Sequence, residues 1–187
     1  MTRIYLGIGT NTNRDHYLRR GLDALEQLLG PLRLSPVFES DAVGILGTRF
    51  YNMAVAADCA LELTELNLAL KAIEAACGRR EQAVPGRITL DIDILLYGEL
   101  TGCHAGIQLP RPEIYRNAFV LWPLALLAPQ LNMPGCGQSA ASLWLGWQGH
   151  QKVWPVAYDW RGLALTPELL LRQALPGTQA IPGSGAA

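Results

Sequence analysis

The segment RITLDIDILLYG, residues 87–98, sets Asp91 and Asp93 into a run otherwise made of residues that fill a sheet interior. Aspartate is among the residues that strands disfavour. Side chains two positions apart on a strand share one face, about 7 Å from each other. Like charges there repel, by about 1 kcal/mol at 4 Å in water and several-fold more where water is scarce. The plain structural reading is the solvated side of an amphipathic strand. Against it, the neighbours on that face are Thr89 and Leu95, with no lysine or glutamate among them. A divalent cation turns the repulsion into binding. Hard oxygen ligands on a rigid strand suit Mg²⁺, which keeps its waters and shares its remaining positions with phosphates.

Three arginines, Arg79, Arg80 and Arg87, lie on the preceding polar loop GRREQAVPGR (78–87). They either meet the same phosphates or belong to an ordinary solvated loop. Asn52, in FYNMAV, is an amide inside a strand. It either makes a local hydrogen bond or offers an edge to a flat, hydrogen-bonding heterocycle. Phe119, in NAFVLWPL, is either core or a stacking face for such a ring.

These residues need a folded scaffold, and the composition supplies one. The chain has 187 residues, half of them hydrophobic and 17% charged, which suits one domain with a sizeable core. A net charge of −1 without a dense basic run argues against nucleic-acid binding. Cys59, Cys77, Cys103 and Cys136 are scattered without C-x-x-C spacing and read as reduced thiols. No apolar run reaches membrane-spanning length and MTRIYLGIGTN enters a strand directly, so a cytoplasmic, monomeric protein without membrane partners is expected.

RIYLGIG (3–9) reads as a buried strand, followed by a helix capped by Thr12 or Asn13, with Leu18, Leu22, Leu25 and Leu29 on one stripe. LRLSPVFES (32–40) reads as an edge or bulged strand because of Pro36. FYNMAVAAD (50–58) is a strand, and Thr64 is expected to cap a helix with the stripe Leu66, Leu70, Ile73, Cys77. LPRPEIYRNAFVLWPLALLAP (109–129) reads as a Pro-bounded loop and an apolar helix broken at Pro123. The order strand, helix, strand, strand, helix, strand is the split βαβ pattern, an α+β fold with an antiparallel ferredoxin-like sheet. Further on, 139–147 reads as a short helix and 151–160 as an extended aromatic segment over the core. Residues 166–175 form a helix capped by Thr166, ahead of a disordered tail. One domain over 1–160 with an extension over 161–187 is the expected organisation.

YLGIGTN, VGILGTRFYNMAV, TLDIDILLYG and LPRPEIYRNAFVLWPLALLAP together resemble the 6-hydroxymethyl-7,8-dihydropterin pyrophosphokinase family of folate biosynthesis, over residues 3 to 135. The resemblance implies an α/β/α sandwich in which ATP gives its terminal pyrophosphoryl group to the pterin hydroxymethyl oxygen and AMP leaves. It implies that Asp91 and Asp93 hold two Mg²⁺ ions, with Arg87 joining them in catalysis. Asn52 would bond the pterin edge, Phe50 and Phe119 would sandwich the ring, and Val43 and Gly44 would add backbone contacts. Glu74, Arg79, Arg80, Ile94, Arg111 and Arg116 would lie on the nucleotide side. The chain departs from the family where Arg-Trp-Gly-Pro-Arg-Thr is usual and AVPGRIT stands. It has Arg111 in place of a histidine and Asn117 in place of an arginine. An active pyrophosphokinase and a catalytically weak pterin-binding paralogue with a regulatory role both fit these residues.

Overall fold

Alternation of apolar residues carries β1 (Thr2–Thr10) through the middle of a sheet, with Ile4, Leu6 and Ile8 buried on one face and Tyr5 on the other. The computed structural model describes residues 1–42, 48–78 and 86–173. After β1 come α1 (Arg14–Leu29), β2 (Arg33–Leu34), β3 (Val37–Ser40), β4 (Phe50–Cys59), α2 (Leu63–Ala76) and β5 (Asp91–Tyr97). The chain continues through β6 (Gly102–His104), β7 (Ile107–Leu109), α3 (Glu113–Arg116), α4 (Ala118–Leu127) and α5 (Ala140–Leu145). It ends with β8 (Val153–Val156), β9 (Asp159–Trp160), β10 (Leu163–Ala164) and α6 (Glu168–Gln173). The main sheet runs β5-β1-β4-β3-β8 with β2 beside β3 on β4, and every pairing is antiparallel.

This is the expected ferredoxin-like α+β fold, extended by one strand. Helices α1 and α2 bury Leu18, Leu22, Leu25, Leu66 and Leu70 against Ile4, Leu6, Met53, Val55, Ile92 and Ile94 on one face. On the other, α3, α4 and α5 bring Ile114, Leu121, Leu124 and Ala140 onto Tyr5, Ala54, Ala56 and Leu95. Two separate cores on two faces make the three-layer sandwich.

Several local expectations are corrected. Pro36 splits the 32–40 segment into two short strands, and β3 is not an edge strand, because β8 pairs along it from Val37↔Val156 to Ser40↔Val153. Thr64 does not cap α2. Glu62 does, its carboxylate accepting from the N3 backbone while Glu65 accepts from the Glu62 N–H, at 3.1 Å. Asn13 is the N-cap residue of α1, in a left-handed conformation that asparagine tolerates, but its side chain makes no cap bond. Pro123 does not break α4. The helix runs through it, and its missing N–H deprives the Phe119 carbonyl of the usual i+4 donor. Thr166 is buried and its Oγ1 accepts from the Val37 N–H at 3.2 Å, so it ties the C-terminal segment to β3. Trp160 and Leu165 join the helix-side core, and the β9–β10 hairpin bridges residue 160. All four cysteines are free, Cys59 and Cys77 buried, Cys103 and Cys136 exposed. Among the described residues no helix is long and apolar enough to cross a membrane.

Candidate functional site

The site is built from sheet register. Gly9 pairs with Asp91 on one side and Asn52 on the other, and Asn52 pairs with Phe38, so one row crosses four strands. The next row runs Asp93, Gly7, Ala54. Paired residues share a face, so both aspartates, both glycines and Asn52 look toward α3 and α4. The α4 helix covers the Phe38 end of that face, with Trp122 4.7 Å from the Phe38 ring. At Gly7 and Gly9 no side chain rises from β1, and a cavity of about 260 Å³ opens above them. Its walls include Ser40, Asp41, Phe50, Asn52, Asp91, Asp93, Glu113, Asn117 and Phe119.

The structure thus brings Asp91, Asp93, Asn52, Phe50 and Phe119 to one cavity. Asn52 is 5% exposed, and its Nδ2 donates to Ser40 Oγ at 2.9 Å. With the amide nitrogen committed, Oδ1 is the atom left for a ligand. It lies 3.8 Å from where a Cβ on Gly9 would sit. This corner therefore accepts a hydrogen bond from a donor edge rather than offering one. Both phenylalanines are half-buried and face the same space.

At the other end, burial of Asp93 pushes its carboxyl up to about 6, reinforced by the neighbouring Asp91 charge and by Glu113, against the pull of Arg111 and Lys71. Arg111 reaches Asp93 at 2.9 Å and Glu113 at 3.3 Å. The second contact is not aligned as a hydrogen bond, and Arg111 Nε is buried without a hydrogen-bond partner among the described residues. Thr89 Oγ1, two residues before Asp91, is buried and unpartnered in the same sense. Crowded carboxylates beside unsatisfied polar atoms suit an ion with phosphate oxygens around it. Among the described residues no three His, Cys, Asp or Glu side chains converge as a metal cage.

The remaining predicted residues are placed differently. Glu74 is 2% exposed on α2. Its carboxylate accepts from the Ile92 N–H and from Lys71, both at 2.8 Å, which anchors β5. The Ile94 side chain is buried in the helix-side core, on the edge strand β5. Arg87 is exposed beside the cavity residue Ile88, and Arg116 is exposed at the end of α3. Neither they nor Arg111 lines the cavity. Val43, Gly44, Arg79 and Arg80 lie outside the described residues. Sequence reasoning missed Ser40, Asp41 and Glu113 and treated Asn117 only as a departure. Each sits at the end of an element, where no periodicity marks it.

The family model described as 7,8-dihydro-6-hydroxymethylpterin-pyrophosphokinase (HPPK) matches residues 5–129. Similar curated proteins include the 2-amino-4-hydroxy-6-hydroxymethyldihydropteridine pyrophosphokinases of Pseudomonas aeruginosa and Aquifex aeolicus. The first is 38% identical over 136 residues, 71% of this chain and 84% of that protein. The second is 32% identical over 136 residues, 72% of this chain and 85% of that protein. Among solved structures, a wild-type Plasmodium falciparum HPPK-DHPS crystallised with pteroate aligns with TM-score 0.63 at 12% identity, over 76% of this chain. This chain spans 44% of that longer protein, and the likeness at such identity concerns the fold. From the matched model and these relatives, the chain belongs to the 7,8-dihydro-6-hydroxymethylpterin-pyrophosphokinase family.

Proposed function

We propose that this chain transfers the terminal pyrophosphoryl group of ATP to the hydroxymethyl oxygen of 6-hydroxymethyl-7,8-dihydropterin. The observation that carries the reading is one cavity over one face of the sheet, with the acceptor amide of Asn52 and the rings of Phe50 from β4 and Phe119 from α4 at one end and two crowded carboxylates at the other. A bicyclic amino-heterocycle fits the first end. Its amino and ring N–H groups donate to Asn52 Oδ1, while Phe50 and Phe119 offer faces to the ring. Gly9 leaves room for the ring to lie on the strand backbone.

In the reaction the hydroxymethyl oxygen forms a bond to the β-phosphorus, the bridge to the α-phosphate breaks, and AMP leaves. The hydroxyl proton is lost on attack. Asp91 and Asp93 are the residues that would hold divalent cation, and we assign Mg²⁺, with two ions as the family resemblance implies. Bound there, it supplies charge neutralisation on the phosphates. Asp93 must be ionised to take this role, so its raised pKa ties metal loading to pH. Arg111 already holds Asp93 and is the cation best placed to turn toward incoming phosphate. Arg87, exposed at the cavity's edge, is the second.

The test is the identity of the nucleotide product. Incubation with ATP, Mg²⁺ and the dihydropterin should release one AMP per pterin diphosphate. Release of ADP, or hydrolysis independent of the pterin, overturns the reading.

A further inference from the structure

The N-terminal turn of α4 is fixed by a residue far along the chain. Asn117 occupies the N-cap position of α4 yet makes no side-chain cap bond. The orphan N–H of Ala118, at the first helical position, donates instead to Gln151 Oε1 at 2.7 Å. That backbone donor settles which end of the Gln151 amide is oxygen. Gln151 Nε2 then donates to Asn117 Oδ1 at 3.0 Å and reaches the Arg116 carbonyl at 3.4 Å. With its oxygen committed, Asn117 has only its Nδ2 to offer the cavity it lines.

Gln151 is itself held on both sides. Ahead of it, Trp122 of α4 stacks on Trp144 at 4.8 Å, and Trp144 on Trp147 at 6.4 Å. The Trp147 ring packs so tightly on Gly149 that a Cβ there would lie 2.5 Å from it. After Gln151 the chain enters β8 and is pinned to β3. A glutamine anchored in this way can transmit position rather than merely fill space.

We propose that Gln151 is a positioning residue for the pterin wall, and that Asn117 is a specificity residue donating through Nδ2 to an acceptor on the bound heterocycle. Gln151 lies beyond the 5–129 stretch that the family model matches, so this part of the site is supplied by the chain's C-terminal segment. By holding Ala118 it also fixes the direction in which the adjacent Phe119 leaves α4. The proposal rests on the pterin reading above.

Calorimetry with 6-hydroxymethyl-7,8-dihydropterin and with a non-hydrolysable ATP analogue separates the possibilities. Gln151→Ala and Asn117→Asp should each weaken pterin binding roughly five- to tenfold, the scale of one hydrogen bond. Both should leave ATP-analogue binding and the unfolding temperature at wild-type values. Asn117→Asp keeps the acceptor for Gln151 and replaces the donor to the ligand by a negatively charged acceptor. Gln151→Glu keeps the acceptor for Ala118 and should retain part of the affinity. Wild-type pterin affinity in Gln151→Ala overturns the proposal, as does equal loss of both ligands with a lower unfolding temperature. A wild-type protein that binds ATP analogue but no dihydropterin overturns the pterin reading itself, and this proposal with it.

Discussion

Gly9 and Asn52 face each other across one rung of the sheet, and their pairing makes a prediction that fold and ligand answer differently. A methyl on Gly9 meets nothing closer than 3.8 Å, so Gly9→Ala should fold normally. It should nevertheless cost pterin affinity about tenfold, because the methyl occupies the floor on which the ring lies. Calorimetry beside thermal unfolding checks both halves. Asp93 gives a prediction in pH. Its carboxyl is raised to about 6 in the fold, against about 3.9 in an unfolded chain. A raised carboxylate contributes stability that is complete below the unfolded value and lost as pH climbs through the folded one. Metal-free protein should therefore lose of order 2–3 kcal/mol between about pH 4 and pH 6 from this residue. Asp93→Asn should flatten that slope, and added Mg²⁺ should restore stability above pH 6 in the wild type only. Thermal unfolding in chelator across pH reads this directly. The residues that could be read from sequence here, Asp91, Asp93 and Asn52, stand out because strands disfavour them. Glu113 and Ser40 carry no such signal, being ordinary residues at a helix start and a strand end.

Elements decide how firmly those residues are held. The β5 strand lies at the sheet edge, and Glu74 of α2 grips it through the Ile92 N–H. The family resemblance put Glu74 on the nucleotide side, and the helix pattern alone does not show that its carboxylate meets the Ile92 N–H. Glu74→Ala should cost about 2–4 kcal/mol, leaving a buried N–H unsatisfied, and should lower turnover by loosening the strand that carries both aspartates. Glu74→Gln keeps the acceptor and should recover most of the stability in denaturant unfolding. The strand and helix order was legible because period-2 and period-3.6 patterns alternate cleanly through residue 97. The interior position of β3 was not, because its covering strand β8 arrives more than a hundred residues later. Pro36 suggested an edge, but the proline falls in the gap between two strands and removes no ladder bond. Local cap signals misled in the same way. Thr64 and Thr166 look like caps, whereas Glu62 caps α2 and Thr166 serves Val37.

At the scale of the molecule, two cores sandwich one sheet, and the site occupies the part of one face that α4 leaves open. The C-terminal segment belongs to this architecture. Tyr158, Trp160 and Leu165 are buried in the helix-side core, and β8 completes the sheet. Removing residues 151–187 should therefore abolish cooperative unfolding rather than trim a dispensable tail, since each large buried side chain contributes about 2–3 kcal/mol. Circular dichroism on the shortened chain tests this. The proposed reaction requires the aspartate pair to serve transfer rather than fold. The most direct measurement is the rate of AMP release by wild type, Asp91→Ala and Asp93→Ala at saturating ATP, Mg²⁺ and dihydropterin, with pterin affinity determined alongside. Each variant should fold, bind the dihydropterin with near wild-type affinity, and release AMP at least a thousandfold more slowly, about 4 kcal/mol of lost transition-state stabilisation. A variant at either position that releases AMP at close to the wild-type rate would contradict the account.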